Sequence, residues 1–179
     1  MGWAPKLAGW AVAIPVWLAA ASVPAADLQW SPFRSPEHGF AADFPGSPAL
    51  TTSGTPDKDK MVQYEFQTAI GTDYAYEIAV LEFGVGYAAP AATAEIYDKL
   101  AQGYANGSNS TLQTQHPRTI AGQPGIEAVS DDDKNDMHHL IDLVIANDRV
   151  YIVVSAGPKG HETSPEAIRF RDSFALIGK

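Results

Sequence analysis

Polar and apolar residues alternate most regularly from Val62 to Gln67, where Val62, Tyr64 and Phe66 interleave with Gln63, Glu65 and Gln67. A period of two is that of a β-strand with one face in a core and the other in water. Gly71-Thr72-Asp73 then closes a hairpin. The return strand, about Tyr74 to Phe83, carries Tyr76, Ile78 and Val80 on one face and Ala79, Leu81 and Phe83 on the other, so both faces are expected to be covered and the strand to be central. From about Pro90 to Ala105 the period changes. Ile96, Leu100 and Tyr104 stand four apart beside Tyr97 and Ala101, which predicts an amphipathic helix, ended at Asn106-Gly107 by a left-handed cap. After a polar stretch, Ser108 to Gln115, strands are predicted near Arg118 to Ile120 and Gly125 to Ser130. Two strongly apolar strands follow, Leu140 to Ala146 and Val150 to Ser155, joined by a tight hairpin at Asn147-Asp148-Arg149. A second helix is predicted with Thr163 or Ser164 as N-cap, Pro165 in its first turn and Glu166 completing a capping box with Thr163; Ala167, Phe170 and Phe174 share one of its faces.

The chain upstream of these elements divides into three. Lys6, an apolar run from Leu7 to about Ala21 and the small-residue site Val23-Pro24-Ala25 form a secretory signal over residues 1–25, with cleavage expected near Ala25. The run is shorter than the ~20 apolar residues a membrane span needs, and Pro15 interrupts it, so no stable span is expected after cleavage. Residues 26–38 read as a tether: Pro32 and Pro36 disfavour regular hydrogen-bonded structure, with Trp30 and Phe33 pinning the segment to the body. Residues 39–179 read as a single domain. It opens on a short strand, Gly39 to Phe44, stopped by Pro45-Gly46, with Ala49 to Ser53 as its hairpin partner. Strands, a helix, strands and a helix in that order define an α+β domain, a mainly antiparallel β-sheet flanked by two helices.

Composition narrows what such a domain does. The chain has no cysteine, which excludes disulfides, thiolate metal sites, a cysteine nucleophile and a lipid-attached amino-terminal cysteine. The 12 basic and 21 acidic residues give a net charge of −9, and loss of Lys6 with the signal makes it one unit more negative. That sign argues against nucleic acid and anionic membranes as partners, because both are attracted by basic surfaces. A soluble periplasmic or secreted protein is the expectation.

Two places carry candidate binding chemistry. The run Asp131-Asp132-Asp133-Lys134-Asn135-Asp136-Met137-His138-His139 offers Asp131, Asp133, Asp136 and His138 as ligands for a divalent cation, since carboxylates suit hard ions and imidazole suits zinc or copper. The run also has the ordinary make-up of a polar hairpin and lacks the glycine and closing glutamate of a calcium loop. His138 and His139, adjacent on a strand, point to opposite faces. The second place is Gly157-Pro158-Lys159-Gly160-His161, where Lys159 and Gly160 precede a helix whose free amides suit an anion. Its spacing is not that of a phosphate loop, and an ordinary strand-to-helix turn has the same composition. No nucleophile elbow or two-histidine zinc helix occurs, and Glu77 and Glu82, five apart on one strand, lie on opposite faces. No catalytic residue and no cofactor is therefore expected, and a hydrolase is the least favoured class. Trp30, Phe33, Tyr87, Tyr97 and Tyr104 offer rings for a groove, although Tyr97 and Tyr104 read as core.

Four motifs in order carry a resemblance: His38-Gly39-Phe40-Ala41-Ala42-Asp43-Phe44-Pro45-Gly46-Ser47-Pro48 at the opening, Ile120-Ala121-Gly122-Gln123-Pro124-Gly125-Ile126-Glu127 at a mid-domain strand, Arg149-Val150-Tyr151-Ile152-Val153-Val154-Ser155-Ala156 in the core, and Phe170 to Leu176 near the carboxyl end. In this order they resemble exported bacterial proteins of the PsbP/DcrB-like fold group. The resemblance implies an antiparallel sheet flanked by helices, a PsbP-like α/β sandwich. It also implies a non-catalytic accessory or assembly factor that binds a protein or envelope partner, and it supplies no catalytic residues. The reading that competes with it is a small-ligand or metal-binding module.

Overall fold

The computed structural model describes residues 29–55 and 59–178. The signal over residues 1–25 lies outside them. Ten strands and two helices follow in the order β1 Trp30–Ser35, β2 Phe40–Pro45, β3 Ala49–Ser53, β4 Met61–Ile70, β5 Tyr74–Phe83, α1 Ala94–Gly107, β6 Thr111–Ile120, β7 Gln123–Asp132, β8 Met137–Ala146, β9 Arg149–Gly157, α2 Pro165–Ser173 and β10 Ala175–Leu176. They build a seven-stranded sheet, β3-β4-β5-β9-β8-β7-β6, and a three-stranded sheet, β1-β2-β10. Every strand pairing is antiparallel. The protein is thus the α+β domain that the sequence predicts.

The large sheet has a core on each face. On one, Tyr97, Leu100, Ala101, Tyr104 and Ala105 of α1 pack over Leu81, Ile141, Leu143, Ile152 and Val154. Two tyrosines tie that helix down: the Tyr97 hydroxyl donates to the Pro124 carbonyl at 2.8 Å, and the Tyr104 hydroxyl lies 2.9 Å from His139 Nδ1. On the other face, Phe40 and Phe44 of β2, Phe170 of α2 and Phe174 just beyond its end cover Phe66, Tyr76, Ile78, Tyr151 and Val153. β9 lies between these layers with all nine residues buried. Each large side chain so enclosed contributes roughly 1.5–3 kcal/mol relative to exposure. The β8–β9 turn has Asn147 and Asp148 at φ 52° and 58°, the left-handed pair that a two-residue hairpin demands.

Several elements differ from the sequence reading. The segment read as a tether contains β1, paired with β2 from Trp30↔Pro45 to Ser35↔Phe40. Pro32 is tolerated because β1 is an edge strand, whose outer side has no ladder bond to lose. Ala49–Ser53 does not pair with β2. It edges the large sheet against β4, because β2 spends its apolar face on the large sheet while β3 is nearly all exposed. α1 begins at Ala94, where Thr93 Oγ1 caps the Ile96 amide, and the left-handed residue beyond its end is Asn109, not Gly107. β6 begins at Thr111, polar along most of its length because it is the other edge. Of the two N-cap residues expected for α2, Ser164 takes the place, and the difference lies in the capping box. The Thr163 hydroxyl is taken by the Gly160 carbonyl, so no capping box forms with Glu166. Finally, the face of Gln63 and Glu65 is not wet: they are 2% and 1% exposed, because it is the sheet face that α1 shares.

Candidate functional site

The antiparallel register brings the two sequence candidates to one end of the sheet. β7 and β8 pair Asp131 with His138, and β8 and β9 pair His138 with Gly157, which sets the turn carrying Lys159 beside Asp131. Asp131 Oδ1 lies 2.6 Å from His138 Nδ1 and Oδ2 lies 3.3 Å from Lys159 Nζ; His138 Nε2 faces Glu162 Oε2 at 3.7 Å. Desolvation pushes the Asp131 carboxyl up, but hydrogen bonds and charge from His138 and Lys159 outweigh it and hold the group below the usual carboxylate range. Asp133 and Asp136 stand exposed in the turn between β7 and β8 and do not join this cluster. Among the described residues, no three His, Asp or Glu side chains are placed to hold a metal ion. At the anion candidate, Gly160 donates its amide to Glu162 Oε2 at 2.8 Å, and Lys159 is held by Asp131. Carboxylates of the chain itself therefore engage both groups.

Beside this cluster opens a cleft of about 430 Å³, between the β4–β5 hairpin and the amino end of α2. Tyr74, Tyr76, Lys159, His161, Ser164 and Glu166 line it. Gly157 makes the wall possible: a Cβ there would meet His161 Cγ at 2.7 Å and Tyr74 Cδ1 at 2.8 Å. His161 is buried, its Nε2 2.6 Å from Ser155 Oγ and its Nδ1 3.2 Å from Ser164 Oγ. Burial lowers its pKa more than Glu162 and Glu166 raise it, so the ring is neutral. A serine beside a neutral imidazole is the chemistry of an activated nucleophile. Ser155, however, is 0% exposed and central in β9, out of reach of any substrate.

A larger hollow, about 520 Å³, lies at the opposite end of the sheet beside Glu82 and Arg149. Two of its charges are committed to one another: Arg149 Nε meets Glu82 Oε1 at 2.7 Å, Arg149 Nη2 donates to the Glu37 carbonyl at 2.8 Å, and His38 Nδ1 lies 3.1 Å from Glu82, while Asp148 on the same lining has no side-chain partner among the described residues. The cleft at Tyr76 is the better candidate because two tyrosine rings and a buried histidine wall it beside the Glu166 carboxylate, which is unpaired among the described residues.

Sequence reasoning placed Tyr76 in an apolar stripe and Glu166 in a capping box, and so missed both as cleft residues. The signal available was Gly157-Pro158-Lys159-Gly160-His161 directly before a helix; pairing β5 with β9 aligns Tyr76 with Ser155, two residues before that motif.

No protein-family model matches this sequence, and no curated protein matches it. Among solved structures it is similar to the solution structure of cyanobacterial PsbP (CyanoP) from Synechocystis sp. PCC 6803. The match covers 89% of this chain and 99% of that one, with a TM-score of 0.55 and 10% sequence identity. The likeness is one of architecture, and the chain has the PsbP-like α+β fold.

Proposed function

We propose that this protein is an exported, non-catalytic accessory factor of the periplasm or the secreted space, related in role to the DcrB-like members of its fold group, and that it works by docking onto a protein of the cell envelope. The observation that carries the reading is the connection between β5 and α1. Residues 84–92, Gly-Val-Gly-Tyr-Ala-Ala-Pro-Ala-Ala, hold no charge in an otherwise acidic chain, and they present Val85 at 89% and Tyr87 at 51% exposure. An uncharged aromatic and aliphatic loop on a charged body has the composition of an interface centre. The sealed Ser155–His161 pair supports the non-catalytic part of the reading.

The test is a photo-crosslinking amino acid at position 87 of the full chain, expressed in its own cells. One dominant adduct with an envelope protein is expected, lost on Val85→Ser. Adducts with many proteins in proportion to abundance, or none, would remove docking by this loop. Mass measurement of the protein recovered from the envelope fraction checks export, with a new amino terminus at Ala26 as the expected result.

A further inference from the structure

We infer that the cleft at Tyr76 binds an organic cation, a protonated amine carried on an aromatic or short aliphatic body. The inference is independent of the docking loop, which lies elsewhere on the chain.

Four tyrosines are buried in the protein, and three have their hydroxyls engaged: Tyr97 on Pro124, Tyr104 on His139, and Tyr151 on the His38 carbonyl at 3.1 Å. Tyr76 is the exception. It is 1% exposed, its ring fixed by Trp30 at 5.3 Å, Phe170 at 5.2 Å and His161 at 5.8 Å, yet its hydroxyl has no hydrogen-bond partner among the described residues. Because Tyr76 lines the cleft, a partner for this hydroxyl comes from what the cleft holds. The hydroxyl opens to the cleft, free to pair with water or with a ligand that reaches it.

The charges at the cleft select the sign of that ligand. Lys159 is bound to Asp131, and Glu162 faces His138 and accepts the Gly160 amide. Glu166 makes no ion pair or hydrogen bond among the described residues. The charged residues of the lining are Lys159 and Glu166; Asp131, from outside the lining, takes the ammonium, so the uncommitted charge of the cleft is the Glu166 carboxylate. The amino end of α2 does not reverse this: Pro165 has no amide hydrogen, and Ser164 Oγ already takes that of Ala167 at 3.1 Å. The net charge of −9 steers cations toward the molecule as a whole. Tyr74, 37% exposed, adds an accessible aromatic ring to the wall, and a cation over such a ring is attracted by its quadrupole. A volume of about 430 Å³ suits one small organic molecule.

The experiment is calorimetric titration of the full chain at neutral pH with phenethylamine, 2-phenylethanol and phenylacetate, which share a ring and differ in charge. Saturable one-site binding of phenethylamine alone is expected. Glu166→Gln, at an exposed position that leaves the fold intact, should weaken it about tenfold or more, as loss of a charged partner does. Tyr76→Phe should weaken it several-fold, and Glu95→Gln on α1 should not change it. Equal binding of the alcohol would overturn recognition of charge, and preference for phenylacetate would overturn its sign. No saturable heat with any of the three, or full binding by Glu166→Gln, would overturn the site.

Discussion

On the α2 face of the large sheet, Asp142 is 1% exposed and receives Arg171 Nη2 at 2.7 Å and Nε at 3.0 Å. The same arginine donates to Glu127, which Arg118 also meets at 2.7 Å. On the α1 face, Glu65 is just as buried; among the described residues its side chain's one hydrogen bond is from Gln63, while the side chain of Glu77, 5% exposed, has no ion pair or hydrogen bond. Desolvation raises Glu65 to about 7, and desolvation with the nearness of Glu65 raises Glu77 to about 8. One face sets guanidinium groups against the desolvation of its carboxylates, which lowers Glu127 although burial still raises Asp142; the other supplies no cation, and its carboxyls rise toward the protonated form. The two solutions differ in what they are sensitive to: the first depends on a partner residue, the second on pH.

The largest effect should come from removing the partner. Arg171→Met leaves Asp142 buried without its counter-charge and should cost about 3–5 kcal/mol in urea unfolding. Arg171→Met with Asp142→Leu should recover much of that loss, and a double variant as unstable as the single would break the pairing account.

The proton-dependent face should answer to pH. Carboxyls whose folded pKa is raised hold a proton that the unfolded chain has released, so stability falls as pH rises from about 4.5 toward 7 and 8. The slope is about 1.4 kcal/mol per pH unit for each group within its window. Glu77→Gln should therefore be more stable than the parent at pH 8.5 and close to it at pH 4.5, read from urea midpoints across that range. A parent and variant that keep a constant difference would show that Glu77 is ionised in the fold.

His139 extends the same face to acid. Burial lowers it to about 4, below its unfolded value, so its contribution is lost as pH falls from about 6.5 to 4; its ring resonances should titrate near 4. Tyr104→Phe removes the hydroxyl partner of Nδ1 and should cost about 1–3 kcal/mol at neutral pH, measured by thermal unfolding. The smallest effect should be at the solvated end of the arginine network. Arg118→Ala should change stability by about 1 kcal/mol, because Glu127 and Asp172 reach water and the buried Asp142, 3.7 Å from Arg118 Nε, keeps Arg171.

This comparison also marks how far the sequence could be read. Periodicity found β4, β5 and α1, unbroken apolar runs found β8 and β9, and capping residues with Pro165 found α2, because each signal lies within the element itself. None of these found β1 or β10, whose pairing with β2 is an edge contact of six and two residues set by distant chain. Alternation also misjudged Glu65, since a polar residue on a strand face reads as wet until a helix is known to share that face. Asp131, His138 and Lys159 were visible as candidates, but their meeting depends on the register of three strands. Tyr76 was hidden because a stripe counts its ring as apolar and says nothing of where its hydroxyl ends.

β2 is completed only by sequence far downstream: the Asp43 amide donates to Ser173 Oγ across 130 residues, and Ala41 pairs with Ala175. Without residues 173–176, β2 keeps one side open, and open strand edges are what aggregation and proteolysis exploit. The two-residue strand β10 thus acts as a seal, and its worth to the molecule lies less in the energy of its own contacts than in the edge it denies to other chains.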